Sequence, residues 1–76
     1  MSINEFIEKF ADAVEIEDAS LLKAETEFRG LNEWGSLAYL SVIALIDEEF
    51  DKQIEMDEFK KLNTIQEVFD ACTQEL

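Results

Sequence analysis

The chain has 76 residues, of which 47% are hydrophobic and 33% are charged, and this composition is typical of one small globular domain. It contains no histidine and a single cysteine, Cys72, so an internal disulfide bond is excluded and a typical zinc site is not expected. Nineteen acidic and six basic residues give a net charge of −13. Such a charge repels nucleic acids and anionic lipids and attracts basic protein surfaces. We therefore expect residues 1–76 to form one acidic domain that binds no nucleic acid.

The sequence predicts neither secretion nor membrane insertion. Its first residues lack the basic and long apolar segments of a signal peptide, and the longest uncharged stretch, residues 34–46, is too short to cross a bilayer. A single cysteine also fits a reducing compartment. We expect a cytoplasmic protein.

The first predicted helix covers residues 2–14, and Ser2 and Glu5 form a capping-box pattern at its start. Its apolar residues recur at helical spacing: Ile3, Phe6, Ile7, Phe10 and Val14. The connection that follows, residues 15–35, is long, and such loops usually are functional or contain a short helical turn. Four apolar residues are expected to hold it on the helices: Leu21, Leu22, Phe28 and Leu31.

The second predicted helix, residues 36–50, is apolar on more than one face. One stripe at helical spacing contains Tyr39, Val42, Ile43, Ile46 and Phe50, and other faces carry Leu37, Leu40, Ala44 and Leu45. A helix that is apolar nearly all round is either buried or offers its second face to something else. Because so short a chain cannot easily bury a helix on all sides, we expect a partner-facing or ligand-lining strip. Simple core packing is the alternative.

The third predicted helix is short, residues 57–62, and the fourth begins near Thr64, where Thr64 and Glu67 form a second capping-box pattern. The apolar stripe of the fourth helix is Ile65, Val68, Phe69 and Cys72. No segment alternates cleanly between apolar and polar residues as a strand would. The sequence therefore predicts an all-α fold with three longer helices, one short third helix and a long first loop.

Residues suited to catalysis are nearly absent. There is no histidine to act as a base for Cys72 or Ser36, and two glycines cannot build a phosphate-binding loop. The acidic segment 47–51 lacks the central glycine and ligand spacing of an EF-hand, so we expect it to bind cations only diffusely. We expect neither an enzyme nor a metal site.

Ser36 is the residue whose position matters most. It follows Gly35 at the predicted start of the second helix, where free backbone N–H groups and the positive end of the helix dipole favour a phosphate group. On position alone, the commoner role of such a serine is to cap the helix.

The layout of the chain resembles that of the acyl carrier proteins. Residues 34–37, Trp-Gly-Ser-Leu, precede an apolar helix and the acidic segment 47–51, and together they look like the modification site of that family, where the serine of an Asp-Ser-Leu motif opens the second helix. The similarity covers nearly the whole chain, including Phe28 in the long loop and residues 63–65 at the start of the fourth helix. The resemblance implies a four-helix bundle of acyl-carrier type.

The resemblance also implies a function. A phosphopantetheinyl transferase would attach 4′-phosphopantetheine to Ser36, and the arm would hold an acyl group for acyl-transferring, ligating or condensing enzymes. The chain would act as a monomer, in a specialised lipid or secondary-metabolite pathway. The implied acyl cavity is lined by Phe28, Leu40, Ile43, Ile46, Phe59, Leu62 and Ile65. The implied docking surface for partner enzymes consists of Glu33, Trp34, Leu37, Leu40, Ser41, Leu45, Asp47 and Glu48.

Two departures from the family pattern concern how partners recognise the chain. Gly35 replaces the usual aspartate of the motif, and Ala38 and Ser41 are neutral where the family commonly has acidic residues. We therefore expect partner enzymes with a less basic, more apolar docking surface than those of general fatty-acid synthesis. Two alternatives remain: an aminoacyl or peptidyl carrier protein, and an acidic helical interaction module without a prosthetic group.

Overall fold

The computed structural model describes residues 1–73, and its first helix, α1 (Ile3–Ala13), begins at the predicted capping box. Ser2 Oγ accepts a hydrogen bond from the Glu5 N–H group (3.2 Å), and the Ser2 N–H group donates to Glu5 Oε1 (3.5 Å). These bonds satisfy N–H groups that have no partner within the helix. The helix is one residue shorter at each end than predicted, because Ser2 and Val14 are its caps.

The long loop between residues 15 and 35 contains two 3-10 turns, Ala19–Leu21 and Phe28–Gly30. Leu22 and Phe28 are buried and fix the loop on the helices, as predicted. Leu21 does not hold the loop on the helices, because its side chain is 71% exposed. Adjacent residues of a tight turn point in different directions, so only one of the two leucines can face the core.

The second helix, α2 (Ser36–Phe50), has the predicted bounds. Ala38, Val42 and Ile46 are its buried residues. Its other apolar side is open to solvent, because Leu37 is 81% exposed and Leu40 is 59% exposed. Part of the second apolar face of this helix is therefore exposed, and its role as a partner-facing or ligand-lining strip stays a prediction.

The third helix, α3 (Met56–Phe59), starts one residue earlier and ends three residues earlier than predicted. A side chain of the long loop binds the end of this helix. The Arg29 guanidinium donates to the carbonyl oxygens of Phe59 (2.6 Å) and Leu62 (3.1 Å), so these groups are bound by a side chain of the long loop.

The fourth helix, α4 (Ile65–Thr73), begins at the second predicted capping box. Thr64 Oγ1 accepts from the Glu67 N–H group (3.1 Å), and Glu67 Oε1 accepts from the N–H groups of Asn63 and Thr64 (3.0 Å each). The hydrogen bonds from these backbone groups lower the pKa of the Glu67 carboxyl. The ionised Glu67 carboxylate therefore contributes stability that is fully present above the ordinary pKa of a glutamate. This contribution is lost as the pH falls through the lowered pKa.

The start of α4 is joined to the long loop by backbone hydrogen bonds. The Ile65 N–H group donates to Thr26 O (3.2 Å), and the Gln66 N–H group donates to Ala24 O (2.8 Å), next to an isolated antiparallel bridge between Glu27 and Thr64. No strand occurs in residues 1–73, and no helix there has the length and apolar character needed to cross a membrane. The all-α prediction is confirmed.

The core is built around aromatic rings. All six phenylalanines, Trp34 and Tyr39 belong to one connected network of ring contacts. Phe28 lies near its centre, with ring centroids 4.8 Å from Trp34, 5.6 Å from Phe59 and 5.7 Å from Phe10. The network therefore connects the long loop with α1, α2, α3 and α4.

The C-terminal end of α2 gives a first stability prediction. Asp51 caps this helix in the left-handed conformation (φ 52°), where residues other than glycine or asparagine are disfavoured, and it adds a negative charge beside the negative end of the helix dipole. Replacing Asp51 with glycine should raise the free energy of unfolding by about 1 kcal/mol. Urea denaturation followed by circular dichroism measures this change.

Two variants separate the causes. Asp51→Asn removes the charge and should give part of the gain, whereas Asp57→Asn removes a carboxylate from the first turn of α3, where acidic residues are favourable. Equal effects of Asp51→Gly and Asp57→Asn would contradict the interpretation.

Candidate functional site

Ser36 occupies the first position of α2, and its hydroxyl group is exposed. Gly35 is the N-cap and supplies no side-chain acceptor, and Ser36 Oγ makes no hydrogen bond with another described residue. The alternative in which Ser36 caps the helix is therefore wrong, because the N-cap is the residue before it, Gly35. The first N–H groups of α2 lack a side-chain partner and can bind an anion, and the Ser36 hydroxyl is accessible beside them.

Gly35 is not required by the backbone at this position. It is extended (φ −176°, ψ −170°), which any residue adopts, and a Cβ atom added there would meet no heavy atom within 4 Å. An aspartate, as in the acyl-carrier motif, would therefore fit at residue 35.

Two surface pockets of similar size meet at Ser36. The first, which we call the α3-side pocket, has a volume of about 330 Å³ and is lined by Arg29, Trp34, Gly35, Ser36, Tyr39, Met56, Phe59 and Lys60. The second, the α1-side pocket, has a volume of about 360 Å³ and is lined by Ala13, Val14, Glu15, Glu33, Gly35, Ser36, Leu37, Ala38 and Ser41. The α3-side pocket thus contains two cations and no carboxylate, and the α1-side pocket contains two carboxylates and no cation.

Of the residues that line the α3-side pocket, Arg29, Tyr39, Met56 and Lys60 were not predicted as site residues. Their positions in the sequence are too far apart for a local motif to connect them. For Arg29 and Lys60, the sequence does contain one signal that could have indicated a site. They are two of only six basic residues in a strongly acidic chain.

The chain has no match among protein-family models, curated proteins or solved structures.

The residues of the predicted docking surface fall into two groups. Six are exposed: Glu33, Leu37, Leu40, Ser41, Asp47 and Glu48. Trp34 and Leu45 are half-buried and pack against the core. Leu37, Leu40, Ser41 and Glu48 follow helical spacing and share one face of α2, so this face combines apolar and acidic groups.

The residues of the predicted acyl cavity are not all brought together. Phe28, Ile46, Phe59 and Ile65 are fully buried in the core, and Ile43 and Leu62 are half-buried against it. Leu40 does not join them, because it lies with Leu37 on the exposed face of α2. Of the seven, only Phe59 lines either pocket beside Ser36.

Cys72 lines neither of the pockets beside Ser36. Its side chain is buried in the core, and burial raises the pKa of its thiol to about 11, although the nearby Lys52 acts in the opposite direction. The thiol is therefore protonated at neutral pH and is a poor nucleophile.

A third pocket, of about 680 Å³, lies between α1 and α2 and concentrates negative charge. Its lining contains five carboxylates and one cation: Glu5, Glu8, Asp12, Glu48, Glu49 and Lys9. Lys9 pairs with Glu49 at 3.1 Å, on the surface, where an ion pair contributes little. Within residues 1–73 no group of three potential ligands is arranged to hold a metal ion.

Repulsion among these carboxylates predicts that stability depends on ionic strength. Raising sodium chloride from low to about 0.5 M, where the screening length falls to about 4 Å, should raise the melting temperature by roughly 4 to 8 °C if it relieves about 1 kcal/mol. Millimolar magnesium should act in the same direction. The measurement is thermal unfolding followed by circular dichroism, with Glu8→Gln as a variant in which the salt dependence is smaller. A melting temperature that does not change with salt would contradict the prediction.

Proposed function

We propose that the chain is a carrier protein of acyl-carrier type, with 4′-phosphopantetheine attached to Ser36. The observation that carries this proposal is the position of Ser36, exposed at the start of α2. Within residues 1–73, its hydroxyl group makes no hydrogen bond and no side chain caps the first N–H groups of this helix. A phosphodiester at Oγ would lie beside these N–H groups, which favour negative charge. When bound, the arm supplies a terminal thiol that holds an acyl group as a thioester.

The remainder of the chain supports the same function. Four helices with a short third member and a long, core-packed first loop agree with what the sequence resemblance implies. The Cys72 thiol, buried and protonated, would not compete with the thiol of the arm. Partners would be a phosphopantetheinyl transferase and enzymes that load, extend or receive the acyl group, and the protein would act as a cytoplasmic monomer.

The exposed side of α2 gives these partners a surface beside Ser36. Leu37 follows the attachment residue directly and Leu40 lies one turn further along the helix, so a partner that covers them also approaches the Ser36 hydroxyl. Asp47 and Glu48 add negative charge at the far end of the same helix. The partner surface that fits is apolar at its centre and basic at its edge.

The proposal predicts a single, specific covalent modification. Incubation with coenzyme A and a broad-specificity phosphopantetheinyl transferase should add one phosphopantetheine group, measured as the intact mass, and peptide mapping should locate it on Ser36. Ser36→Ala should abolish the mass gain, whereas Ser20→Ala, which alters an exposed serine of the long loop outside the predicted docking surface, should leave it unchanged.

A third variant tests the departure from the family motif. Since an aspartate fits at residue 35 without a steric clash, Gly35→Asp should be modified at least as fast as the natural chain. No mass gain with several transferases, or a group mapped to another residue, would instead favour an acidic interaction module without a prosthetic group.

A further inference from the structure

The two pockets that meet at Ser36 differ in the sign of their charge. Arg29 and Lys60 line the α3-side pocket, and Glu15 and Glu33 line the α1-side pocket. A phosphodiester on Ser36 carries one negative charge and is attached by a single bond to Oγ, so it can turn toward either side. The cations of the α3-side pocket attract this charge and the carboxylates of the α1-side pocket repel it, so both effects favour the α3 side.

Both cations of the α3-side pocket are able to bind an anion. Arg29 uses its Nε–H group and one N–H group of Nη2 for the carbonyl oxygens of Leu62 and Phe59, so three of its five N–H donors remain. Those two bonds also hold the guanidinium group in place, 5.4 Å from the ring centroid of Phe28 and 5.6 Å from that of Phe59. Lys60 is exposed and makes no side-chain hydrogen bond or ion pair with a described residue.

The rest of this pocket is suited to the arm beyond the phosphate. Trp34, Tyr39, Met56 and Phe59 give it aromatic and thioether walls. Beyond its phosphate, phosphopantetheine has a methylene group, a carbon bearing two methyl groups, a carbon bearing a hydroxyl group and then two amide bonds. Methyl groups pack favourably on such walls, and the Tyr39 hydroxyl is a donor and acceptor of the type that an amide can use.

We infer that the phosphopantetheine arm docks in the α3-side pocket, where Arg29 and Lys60 bind its phosphodiester and the aromatic residues contact its dimethyl carbon. This inference rests on the proposed function and adds a resting position for the arm. The docked arm leaves the α1-side pocket empty and the exposed face of α2 free for a partner.

Trp34 provides a direct measurement, because it is the only tryptophan of the chain and lines this pocket. Conversion of the unmodified to the modified protein should shift the emission of Trp34 and reduce its quenching by acrylamide. High salt should restore part of the quenching, because the contact with the phosphodiester is electrostatic.

Lys60 and its neighbour Lys61 form a matched pair of variants. Lys61 is also exposed but does not line the pocket, so Lys60→Gln and Lys61→Gln change the net charge equally. Lys60→Gln should lower the ratio of docked to free arm by about two- to fivefold, the range expected for one exposed charge pair, and Lys61→Gln should leave it nearly unchanged. Glu33→Gln removes part of the repulsion on the opposite side and should also lower this ratio, by less than Lys60→Gln does.

Failure of this inference and failure of the proposed function give different results. Absence of a mass gain at Ser36 would overturn the proposed function and this inference with it. A complete mass gain with unchanged Trp34 emission and quenching would overturn the docking of the arm alone, as would equal effects of Lys60→Gln and Lys61→Gln.

Discussion

Replacing Phe28 with alanine is expected to lower the free energy of unfolding by about 3 to 5 kcal/mol, the range found when a buried phenylalanine is truncated. Phe28 is fully buried, its ring contacts those of Phe10, Trp34 and Phe59, and it also lies under the Arg29 guanidinium. A domain of this length is typically stable by only about 4 to 11 kcal/mol. The variant should therefore lose a large part of its stability, measured by urea denaturation.

The matched control is Leu21→Ala in the same loop. Leu21 is 71% exposed, so its truncation should change the free energy of unfolding by less than about 0.5 kcal/mol. Similar losses for the two variants would mean that the long loop does not pack in the way described. A difference of several kcal/mol would make Phe28, although it lies outside the four α-helices, one of the main residues of the core.

Under the proposed carrier function, truncation of Leu37 or Leu40 is expected to weaken binding to a partner enzyme about five- to thirtyfold, which corresponds to about 1 to 2 kcal/mol. Both leucines are largely exposed on the face of α2 that begins at Ser36, so neither contributes much to the core. Their replacement should therefore leave the melting temperature nearly unchanged. The phosphopantetheinyl transferase is the first partner to test, by measuring the dissociation constant for each variant at low and moderate salt.

Charge-neutralised variants of the same helix are the comparison. Asp47→Asn and Glu48→Gln keep the shape of the side chain and remove one charge each, and as edge residues they should mainly change the association rate and its salt dependence. If these variants lose most of the affinity and the leucine variants bind normally, the docking is electrostatic. The exposed leucines would then have no part in recognition by this partner.

Local signals in the sequence were sufficient for much of the fold. Two local signals predict the bounds of α2. Its apolar residues end at an acidic segment, and Gly35, a residue that is tolerated at an N-cap but disfavoured inside a helix, precedes Ser36. The starts of α1 and α4 were predicted from capping boxes, whose bonds join residues only three positions apart.

The remaining features depend on contacts between distant residues. Arg29, which lies 30 positions before Phe59, binds the end of α3, and no local pattern around α3 predicts this contact. Whether Leu21 or Leu22 is buried depends on how the turn meets α1. The pocket of Arg29 and Lys60 beside Ser36 exists only once the long loop, α2 and α3 have come together. The sequence therefore predicts Ser36 as the candidate site, but it does not predict that Arg29 and Lys60 lie beside it.

The link between the long loop and the last helix has a consequence for the speed of folding. The Arg29 bond to Leu62 joins residues 33 positions apart, and the bonds from Ile65 and Gln66 to the loop span similar distances. Closing so long a chain segment costs entropy before any of these bonds forms, so such contacts form late, after the local helices. We therefore expect the closure of the long loop on the start of α4 to be one of the late steps of folding.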